Sequence, residues 1–457
     1  MTRVLKFGGS SLDGAACLRQ VAGLAQEALP AAPLVVLSAM GKTTDALFRA
    51  ARAAQAGDLA GALAEAGAIA ERHRSIAGEL FPGGLPPELA EGLDRQLGEL
   101  EQTLRGVALL RELSPRSLDA VASHGERLST KLFAALLAAE GVPTECVDAR
   151  KLVRTDASFG AAQPRLEAIK RLVRESLAPV LSPGKVVVTQ GYIGSTEDGA
   201  TTTLGRGGSD YTAALLGAAL GAEEVQIWTD VEGIFTADPR VVALAQPILE
   251  LSFAEAAELA AFGAKVLHPA TIQPAVEARV PVTVRHTQRP RGRFTTIRGE
   301  VRTGRAVTAL ASRGPVTILT VTSTRMLAQA GYLARLFEVF GRLGVSVDLV
   351  ATAEVSVSLS VEADAPLEAL SRELQGFARV EVETGRAIVA LVGERLKRTS
   401  GIAARAFAAL EDIDVDLISM GANEINLSFV VRQELVPQAL ERLHAAFFEP
   451  RSAPRPS

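Results

Sequence analysis

The chain opens on Arg3-Val-Leu-Lys6-Phe-Gly8-Gly9-Ser10-Ser11, an apolar run that leads directly into two glycines and two hydroxyl residues. The apolar run predicts a buried strand, and the glycines predict a turn in which backbone N–H groups can approach a phosphate. Lys6 adds a mobile positive charge beside that turn. Such a turn also joins many ordinary strands to helices, so this stretch alone leaves both interpretations open.

Similar apolar runs alternate with helical stretches along the rest of the N-terminal part. In His124–Glu140, for example, Leu128, Leu132 and Leu136 fall on one face at helical spacing. Strands that alternate with helices predict an α/β fold with a mainly parallel sheet sandwiched by helices. The predicted strands are Val4–Phe7, Leu34–Leu37, Thr144–Val147, Val186–Thr189, Val225–Trp228 and Val280–Val284.

The C-terminal part reads as a diverged internal repeat. From Arg289 to Arg305 the chain is rich in Arg, Gly and Thr and loses its periodicity, which predicts a domain boundary. Each copy of the repeat then has a strand, a glycine-led helix, a strand ending in Val-Asp-Leu and a further strand, which predicts two βαββ modules of α+β type. The expected domains are residues 1–298, 299–385 and 386–457, the last including a disordered tail after Phe447. The predicted strands and helices of the two copies are Val316–Val321, Gly331–Leu343, Val345–Leu349 and Val355–Val361, then Ala387–Val392, Gly401–Leu410, Val415–Ile418 and Ile425–Val431.

Composition excludes several classes of function. The net charge is −4 and no basic block is present, which argues against a nucleic-acid partner. Cys17 and Cys146 are too few for a disulfide framework or a zinc site, and the five histidines share no metal-ligand spacing. The N-terminus reads as a strand rather than a signal peptide, and no apolar window is long enough for a transmembrane helix. A cytoplasmic protein with no membrane partner is expected.

A second glycine-rich turn carries a stronger signal than the first. The run Thr201-Thr-Thr-Leu-Gly-Arg206-Gly-Gly-Ser-Asp210 combines an arginine suited to bidentate carboxylate recognition, a glycine pair and a helix start. A third segment, Trp228-Thr-Asp230 followed by Gly233 to Arg240, is as easily a solvated turn. Two known phosphate motifs fail: Gly41-Lys-Thr43 lacks the upstream glycine of a P-loop, and Asp210 stands where a dinucleotide fingerprint needs glycine.

Two shorter segments have both a functional and a structural interpretation. Ser123-His-Gly-Glu126 places a carboxylate at a helix start, where helix capping is an equally good explanation. Phe262-Gly-Ala-Lys265 carries a lysine late in a helix, where it would compensate the helix dipole.

Together these segments resemble the aspartokinase family over essentially the whole chain. The opening K-F-G-G-S-S-L is similar to the family's K-F-G-G-T-S-V, and Thr201–Asp210 matches T-T-T-L-G-R-G-G-S-D. Ser10 takes the place of a Thr, and Phe235 that of a common Tyr. The other matching segments are Ser38–Asp45, Ser123–Glu126, Ile227–Arg240 and Phe262–Pro269.

The resemblance implies an amino-acid-kinase fold followed by two ACT modules, and a reaction in which MgATP phosphorylates the β-carboxylate of L-aspartate. The product, 4-phospho-L-aspartate, opens lysine, threonine and methionine biosynthesis. It implies catalytic roles for Lys6, Gly8, Gly9 and Asp210, and aspartate binding by Thr44, Glu126, Arg206 and Ser209. Lys6, Gly8, Gly9, Ser10, Thr229, Asp230, Phe235, Arg240 and Lys265 would bind the nucleotide. No protein-held metal is expected beyond the Mg²⁺ that accompanies ATP.

The reaction itself fits such a residue set. A carboxylate acceptor is already ionised at neutral pH, so the enzyme needs charge neutralisation and in-line positioning rather than a general base. Alternative functions are a kinase for glutamate or N-acetylglutamate, and a non-catalytic amino-acid sensor. A dehydrogenase is disfavoured by the broken fingerprint at Asp210.

The first ACT module most resembles that of the lysine-sensitive aspartokinases. Asp348 offers a carboxylate to an ammonium group, which suits lysine but also the α-amino group of any amino acid, and the alternative is that it only caps a strand. The resemblance implies feedback inhibition by lysine and a homodimer, or a dimer of dimers, formed through the ACT modules. The implied effector residues are Met326, Tyr332, Leu333, Ser346, Val347, Asp348, Thr352 and Glu354.

Overall fold

The computed structural model describes residues 2–263, 269–299, 301, 305–327, 330–421 and 423–449. Two compact units divide the chain. The first contains Met1–Ile234, Leu249–Phe253 and Val266–Glu300, and the second contains Phe235–Ile248, Ala254–Lys265 and Val301–Ser457. Within the described residues no helix is long and apolar enough to cross a membrane. Of the tail predicted after Phe447, residues 450–457 lie outside the described residues.

The first unit is built on an eight-stranded sheet with the order β3-β4-β2-β1-β7-β9-β10-β8. Its left-hand six strands run parallel, and β10 pairs antiparallel to β9 and parallel to β8. A separate hairpin joins β5 to β6. The bounds are β1 Arg3–Phe7, β2 Leu34–Leu37, β3 Thr144–Val147, β4 Val186–Gln190, β5 Ile193–Ser195, β6 Thr201–Thr203, β7 Glu224–Thr229, β8 Glu250–Ser252, β9 Val282–His286 and β10 Thr295–Arg298.

Helices pack around this sheet because its central strands are apolar on both faces. All four residues of β2 and all five of β4 are buried. A large core of Leu, Val and Ala side chains extends from β1 to α6. The helices of this unit are α1 Ala15–Glu27, α2 Thr43–Gln55, α3 Leu59–Leu80, α4 Pro87–Leu110, α5 Pro115–Ala122, α6 His124–Ala139, α7 Leu166–Leu172, α8 Gly208–Leu220 and α10 Pro269–Glu277, while α9 Phe253–Ala261 belongs to the second unit from Ala254 on.

The predicted elements of this unit are largely confirmed. The strands Leu34–Leu37 and Thr144–Val147 have the predicted bounds, and the helix from His124 ends one residue early. Two predictions were wrong in detail. The strand predicted at Val280 begins at Val282, and the stretch predicted to be aperiodic, 289–305, contains β10. Strand β10 has only four residues, three of them polar, so its pairing partners and not its apolar pattern define it.

The second unit contains a six-stranded antiparallel sheet with the order β12-β13-β11-β14-β16-β15. Its strands are β11 Ala309–Thr322, β12 Val350–Thr352, β13 Ser356–Glu362, β14 Arg379–Val392, β15 Leu417–Met420 and β16 Asn426–Arg432. Its helices besides α9 are α11 Tyr332–Arg342, α12 Leu367–Gln375, α13 Ile402–Ala409 and α14 Val436–Phe448.

The two long strands β11 and β14 organise this sheet as two similar halves. They pair with each other along their whole length, while residues 316–322 of β11 also pair with β13 and residues 386–392 of β14 also pair with β16. Each half has its own apolar core. We call residues 316–383 the first module, and residues 309–313 with 386–448 the second module. The second module therefore takes a strand from the chain that precedes the first.

The repeat predicted from the sequence is thus confirmed, with three differences. Residues 345–349 were predicted to be a strand, but β12 begins at Val350, after the Val-Asp-Leu sequence. In the second module β15 likewise begins at Leu417, later than predicted. Each module also has a second helix, α12 or α14, that covers the same sheet.

Candidate active site and effector site

Lys6 and Asp210 form a close ion pair at the edge of the first unit's sheet. Lys6 Nζ lies 2.6 Å from Asp210 Oδ1, and only 8% of Lys6 is exposed. Lys6 is on β1, and Asp210 is in the first turn of α8. A Cβ on Gly8 would lie 3.5 Å from Lys6 Nζ, so the ammonium lies over the glycine turn. The structure therefore brings together a cation, a carboxylate and open backbone, as phosphoryl transfer needs.

The turns that follow β1 and β2 are in direct backbone contact. Gly41 N donates to Gly9 O at 3.0 Å, and a Cβ on Gly9 would lie only 2.9 Å from Ala39 O. Similarly, a Cβ on Gly125 would lie 2.7 Å from Ala39 Cβ, so the start of α6 packs against the same turn. The glycines at positions 9 and 125 are therefore required by close packing, and they bring Glu126 to this edge of the sheet.

Glu126 is a buried carboxylate with an unused oxygen. Its Oε1 accepts a hydrogen bond from Ala39 N at 3.1 Å, whereas Oε2 is buried and has no hydrogen-bond partner within the described residues. Burial raises the pKa of Glu126 to about 8, against the opposing effect of the backbone hydrogen bonds. Thr44, which follows Ala39 by five residues, is half-buried in the first turn of α2. An unpaired buried carboxylate is well suited to receive a cationic group.

The second glycine-rich turn leads from β6 to α8 through two residues with left-handed backbone, Gly205 at φ +75° and Gly207 at φ +70°. Glycine is favoured at both because a side chain would be strained there. Arg206, between them, is exposed and forms no ion pair in the described part of the chain. Ser209 is buried against Gly191, where a Cβ would lie 2.6 Å from Ser209 Cβ.

Sequence reasoning missed two residues behind this turn, the buried Asp119 and the partly buried Tyr192. Asp119 Oδ2 accepts from Thr203 N at 2.8 Å and from Gly160 N at 3.0 Å, and its Oδ1 accepts from Thr203 Oγ1 at 2.8 Å. Tyr192 directly follows Gly191 at the end of β4. The sequence did contain a usable signal for Tyr192, because it lies two residues after the strand β4. Several of the site residues that were predicted also lie just after a strand, namely after β1, β2 and β7.

The residues predicted to bind the nucleotide divide between the two units. In the first, Thr229 ends β7 and its Oγ1 donates to Asp230 Oδ1 at 3.1 Å, while Ser10 is exposed in the turn after β1. In the second, Phe235 forms a β-bridge with Pro247, and the exposed Arg240 is paired with Asp238. Lys265 lies outside the described residues.

The predicted effector residues centre on Asp348 in the first module. Its Oδ1 lies 2.8 Å from Arg313 Nη1, and its Oδ2 is buried without a hydrogen-bond partner within the described residues. Burial raises the pKa of Asp348, and Arg313 opposes that rise. Arg313, which also pairs with Glu362, was not predicted.

The other predicted effector residues surround the start of α11 and the strand β12. Tyr332 begins α11, where it is buried, and its hydroxyl has no hydrogen-bond partner within the described residues. Its ring meets Phe377 edge-on at 5.9 Å. Leu333, Ser346, Thr352 and Glu354 are exposed, and Met326 and Val347 are partly buried against the module's core.

The fold and the charged site define a phosphotransferase of the amino-acid-kinase class, and comparison with known proteins agrees. The model of the amino acid kinase family matches residues 1–286, and that of an ACT domain matches residues 389–447. Lysine-sensitive aspartokinase 3 of Escherichia coli is 44% identical over 77% of this chain and 81% of its own length. Aspartokinase 1 of Arabidopsis thaliana, a chloroplastic protein, is 39% identical over 98% of this chain and 80% of its own length.

Solved structures give the same result. Crystal structures of E. coli aspartokinase III, one with aspartate and ADP and one with lysine and aspartate, share 40% identity and a TM-score of 0.84 with this chain. Each comparison covers 98% of this chain and 100% of the other. This chain belongs to the aspartokinase family.

Proposed function

We propose how this ATP-dependent aspartate kinase uses its residues to transfer the γ-phosphate of ATP to the β-carboxylate of L-aspartate. The observation that carries the proposal is the 2.6 Å pair of Lys6 and Asp210 over the turn at Gly8. Lys6 stabilises the phosphoryl group during transfer, and Asp210 holds the Lys6 ammonium in place. The backbone of Gly8 and Gly9 approaches the phosphate oxygens.

Aspartate is bound through its α-carboxylate and α-ammonium groups, which leaves the β-carboxylate free to react. Arg206, which forms no ion pair within the described residues, binds the α-carboxylate in a bidentate manner, and Glu126 Oε2, which has no hydrogen-bond partner there, receives the α-ammonium. Thr44 and Ser209 position the same substrate through their hydroxyl groups. Because the α-ammonium contacts Glu126, glutamate would place its longer side chain differently, and N-acetylglutamate would offer no cation.

The nucleotide is bound by Ser10, Thr229, Asp230, Phe235, Arg240 and Lys265 together with the Lys6 turn. Magnesium prefers oxygen ligands and takes several of them from the phosphates of ATP, so it needs few from the protein. In this chain Asp230, and the oxygen of Asp210 that is not paired with Lys6, would supply carboxylate oxygens of that kind. When bound, Mg²⁺ neutralises charge on the phosphates of ATP. Lys6 neutralises charge on the phosphoryl group during transfer, and Arg206 neutralises the α-carboxylate of aspartate. No protein group needs to remove a proton, because the β-carboxylate is already ionised.

Lysine is the proposed feedback inhibitor, and it binds in the first module. Support comes from Asp348 and Tyr332, which both have buried polar atoms without partners in the described part of the module. The similarity to E. coli aspartokinase III, which has been crystallised with lysine and aspartate, also supports it. Met326, Leu333, Ser346, Val347, Thr352 and Glu354 complete the proposed site.

Three further points are part of the proposal. The domains extend over residues 1–298, 299–385 and 386–457, and the ACT modules join chains into at least a homodimer. The protein is cytoplasmic, in keeping with the free thiols of Cys17 and Cys146.

The test is a coupled ATPase assay with aspartate, glutamate and N-acetylglutamate as acceptors, with and without millimolar lysine. Lys6→Ala is expected to lower kcat at least about 100-fold without loss of folding, because a transition-state donor is removed. Lys42→Ala is the matched control, since Lys42 is an exposed lysine in the neighbouring turn. Near-normal turnover of Lys6→Ala would remove Lys6 from the mechanism, and inhibition by threonine but not lysine would overturn the effector assignment.

A further inference from the structure

The side chain of Asp119, on α5, binds the backbone of two other segments of the first unit. Asp119 is only 2% exposed. Its Oδ2 accepts hydrogen bonds from Thr203 N at 2.8 Å and from Gly160 N at 3.0 Å, and its Oδ1 accepts one from Thr203 Oγ1 at 2.8 Å. Because a buried donor that is left without an acceptor is costly, this carboxylate holds all three donors in place.

The two segments held by this carboxylate also contact each other beside the turn between β6 and α8, which we call the Arg206 turn. Ala162 N donates to Thr203 O at 2.9 Å. A Cβ on Gly205 would lie 3.3 Å from Gly160 O, so the loop at Gly160 packs directly against the glycine that precedes Arg206. Thr203 ends β6, three residues before Arg206. The buried carboxylate therefore fixes both the strand and the loop that the Arg206 turn contacts.

The backbone of Asp119 contacts the element that carries Glu126. Asp119 O accepts a hydrogen bond from Ser123 N at 3.0 Å, and Ser123 directly precedes α6. Glu126 is in the first turn of α6. Asp119 is thus bonded through its side chain to the strand that leads into the Arg206 turn, and through its backbone to the residue before the Glu126 helix. A residue that is bonded to both elements constrains how far apart they lie.

The contacts of Asp119 require its shape more than its charge. Burial raises the pKa of Asp119, and its three hydrogen bonds oppose that rise. An asparagine in the same conformation could accept both N–H donors with its one oxygen, and its amide group could donate to Thr203 Oγ1. Alanine would remove the acceptor and leave the N–H groups of Gly160 and Thr203 buried without one. The two substitutions therefore separate the geometry of this residue from its charge.

We propose that Asp119 is a positioning residue for the aspartate site. Through Thr203 and Gly160 it sets the place of Arg206, and through Ser123 it relates that place to Glu126. The inference rests on the proposed function, in which Arg206 and Glu126 bind the α-carboxylate and the α-ammonium of the substrate.

The first part of the test compares steady-state kinetics of the variants at position 119. Asp119→Ala should lower kcat/KM for aspartate about 30-fold, mainly through KM, because a small displacement of a binding group has a large effect. KM for ATP should change less than about twofold, and Asp119→Asn should stay within about threefold of the wild type. Thr196→Val is the matched control, since it removes a buried hydroxyl that accepts from Ala200 N at 3.0 Å, at the other end of the β5–β6 hairpin. Its kcat/KM should stay within about twofold of the wild type.

The second part is a double-mutant cycle with Arg206→Ala. This substitution should lower kcat/KM for aspartate about 100-fold in the wild type but less than about fivefold in Asp119→Ala, where the guanidinium is already displaced. If Asp119→Ala does not fold, Thr203→Val replaces it, because it loses only the hydroxyl contact. Thr203→Val should itself lower kcat/KM about threefold, and Arg206→Ala should then cost only about 30-fold.

The outcomes distinguish the role of Asp119 from that of Arg206. Equal losses from Arg206→Ala in the wild type and in the second background would overturn the role of Asp119 alone. A loss in Asp119→Asn as large as that in Asp119→Ala would do the same, since charge and not geometry would then matter. An unaltered kcat/KM of Arg206→Ala in the wild type would overturn the proposed role of Arg206, and with it this inference.

Discussion

Glu126 in the first unit, which is buried, and Asp348 in the second, which is partly buried, are two carboxylates to which we assign the same task, the binding of an ammonium group. Burial raises the pKa of both. They differ in their partners: Glu126 accepts a hydrogen bond from Ala39 N and forms no ion pair within the described residues, whereas Asp348 is already paired with Arg313 at 2.8 Å. The substrate site thus has a carboxyl group with an unpaired oxygen, and the effector site has an internal cation that an effector must displace or share.

The second module provides an internal reference for Asp348. Asp416 occupies the same place in its Val-Asp-Leu sequence, since Asp416 N donates to Val430 O just as Asp348 N donates to Ser360 O. Asp416 is also paired with an arginine of a long strand, Arg386, at 2.6 Å. However, the residue that starts the glycine-led helix is Ile402 here and Tyr332 in the first module. The second module therefore has no hydroxyl at this position, and this difference favours the first module as the effector site.

The largest expected effect is at the carboxylate without a cation. Glu126→Gln keeps the shape of the side chain but removes the charge, so kcat/KM for aspartate should fall at least about 100-fold, because the ammonium would be left buried and unpaired. Thermal unfolding should show no loss of stability, since glutamine keeps a side-chain oxygen that can accept the hydrogen bond from Ala39 N. A loss of less than about threefold in kcat/KM would contradict the assignment of Glu126.

Asp348→Asn should change regulation and leave catalysis intact. The lysine concentration for half-inhibition is expected to rise at least about 30-fold, with the uninhibited kcat unchanged. Asp416→Asn is the matched control, and lysine inhibition of that variant should stay within about twofold of the wild type. Equal effects of the two substitutions would show that the modules do not differ as proposed.

The pH dependence of kcat/KM for aspartate should report the ionisation of Glu126. Glu126 has a raised pKa of about 8 in the free enzyme, so it is mostly neutral at pH 7 and ionises as the pH rises. Because only the ionised form pairs with the ammonium, kcat/KM for aspartate should increase about tenfold between pH 7 and pH 9. Glu126→Gln should abolish this rise. A profile of the wild type that is flat over this range would argue against an unpaired Glu126 in the free enzyme.

The smallest effect is expected from removing the internal cation of the effector site. Arg313→Gln frees the Asp348 carboxylate, so half-inhibition should need about threefold less lysine, the scale of a partly exposed ion pair. Arg386→Gln makes the equivalent change in the second module and should leave lysine inhibition unaltered. Weaker inhibition of Arg313→Gln would mean that Arg313 orients Asp348 for lysine and does not compete with it.

Much of the fold was predictable because it depends on local apolar patterns. The buried strand β2 is a continuous run of Leu and Val, and the buried strand β4 begins with three consecutive Val residues. The helix at His124 has a clear apolar face. The short strand β10 and the extension of β11 to Ala309 were not predictable in this way. Strand β10 depends on its pairing with β8 and β9. The extension of β11 depends on a partner distant in the chain, because residues 309–313 pair with β14 and not with the nearer strand β13.

The residues of the candidate sites also fall into two groups, those that the sequence predicted and those that only the structure revealed. Lys6, Glu126, Arg206 and Asp210 were found because each lies in a recognisable glycine-rich or helix-start segment. Asp119, Tyr192 and Arg313 were missed because their surrounding letters carry no motif. Their importance comes from contacts with residues that lie at least ten positions away in the chain, namely Thr203, Thr212 and Asp348.

The amino-acid sequence by itself determined the class of enzyme, the presence of a C-terminal repeat and the segments that supply charge to the reaction. These follow from residue type and local spacing, which fix which groups are charged and which backbone is free to turn. Only the tertiary structure decided which charges are paired. Burial and the distances between remote segments decide that Lys6 pairs with Asp210, that Arg313 pairs with Asp348, and that Glu126 Oε2 has no partner within the described residues. Those same distances set the pKa values on which binding depends.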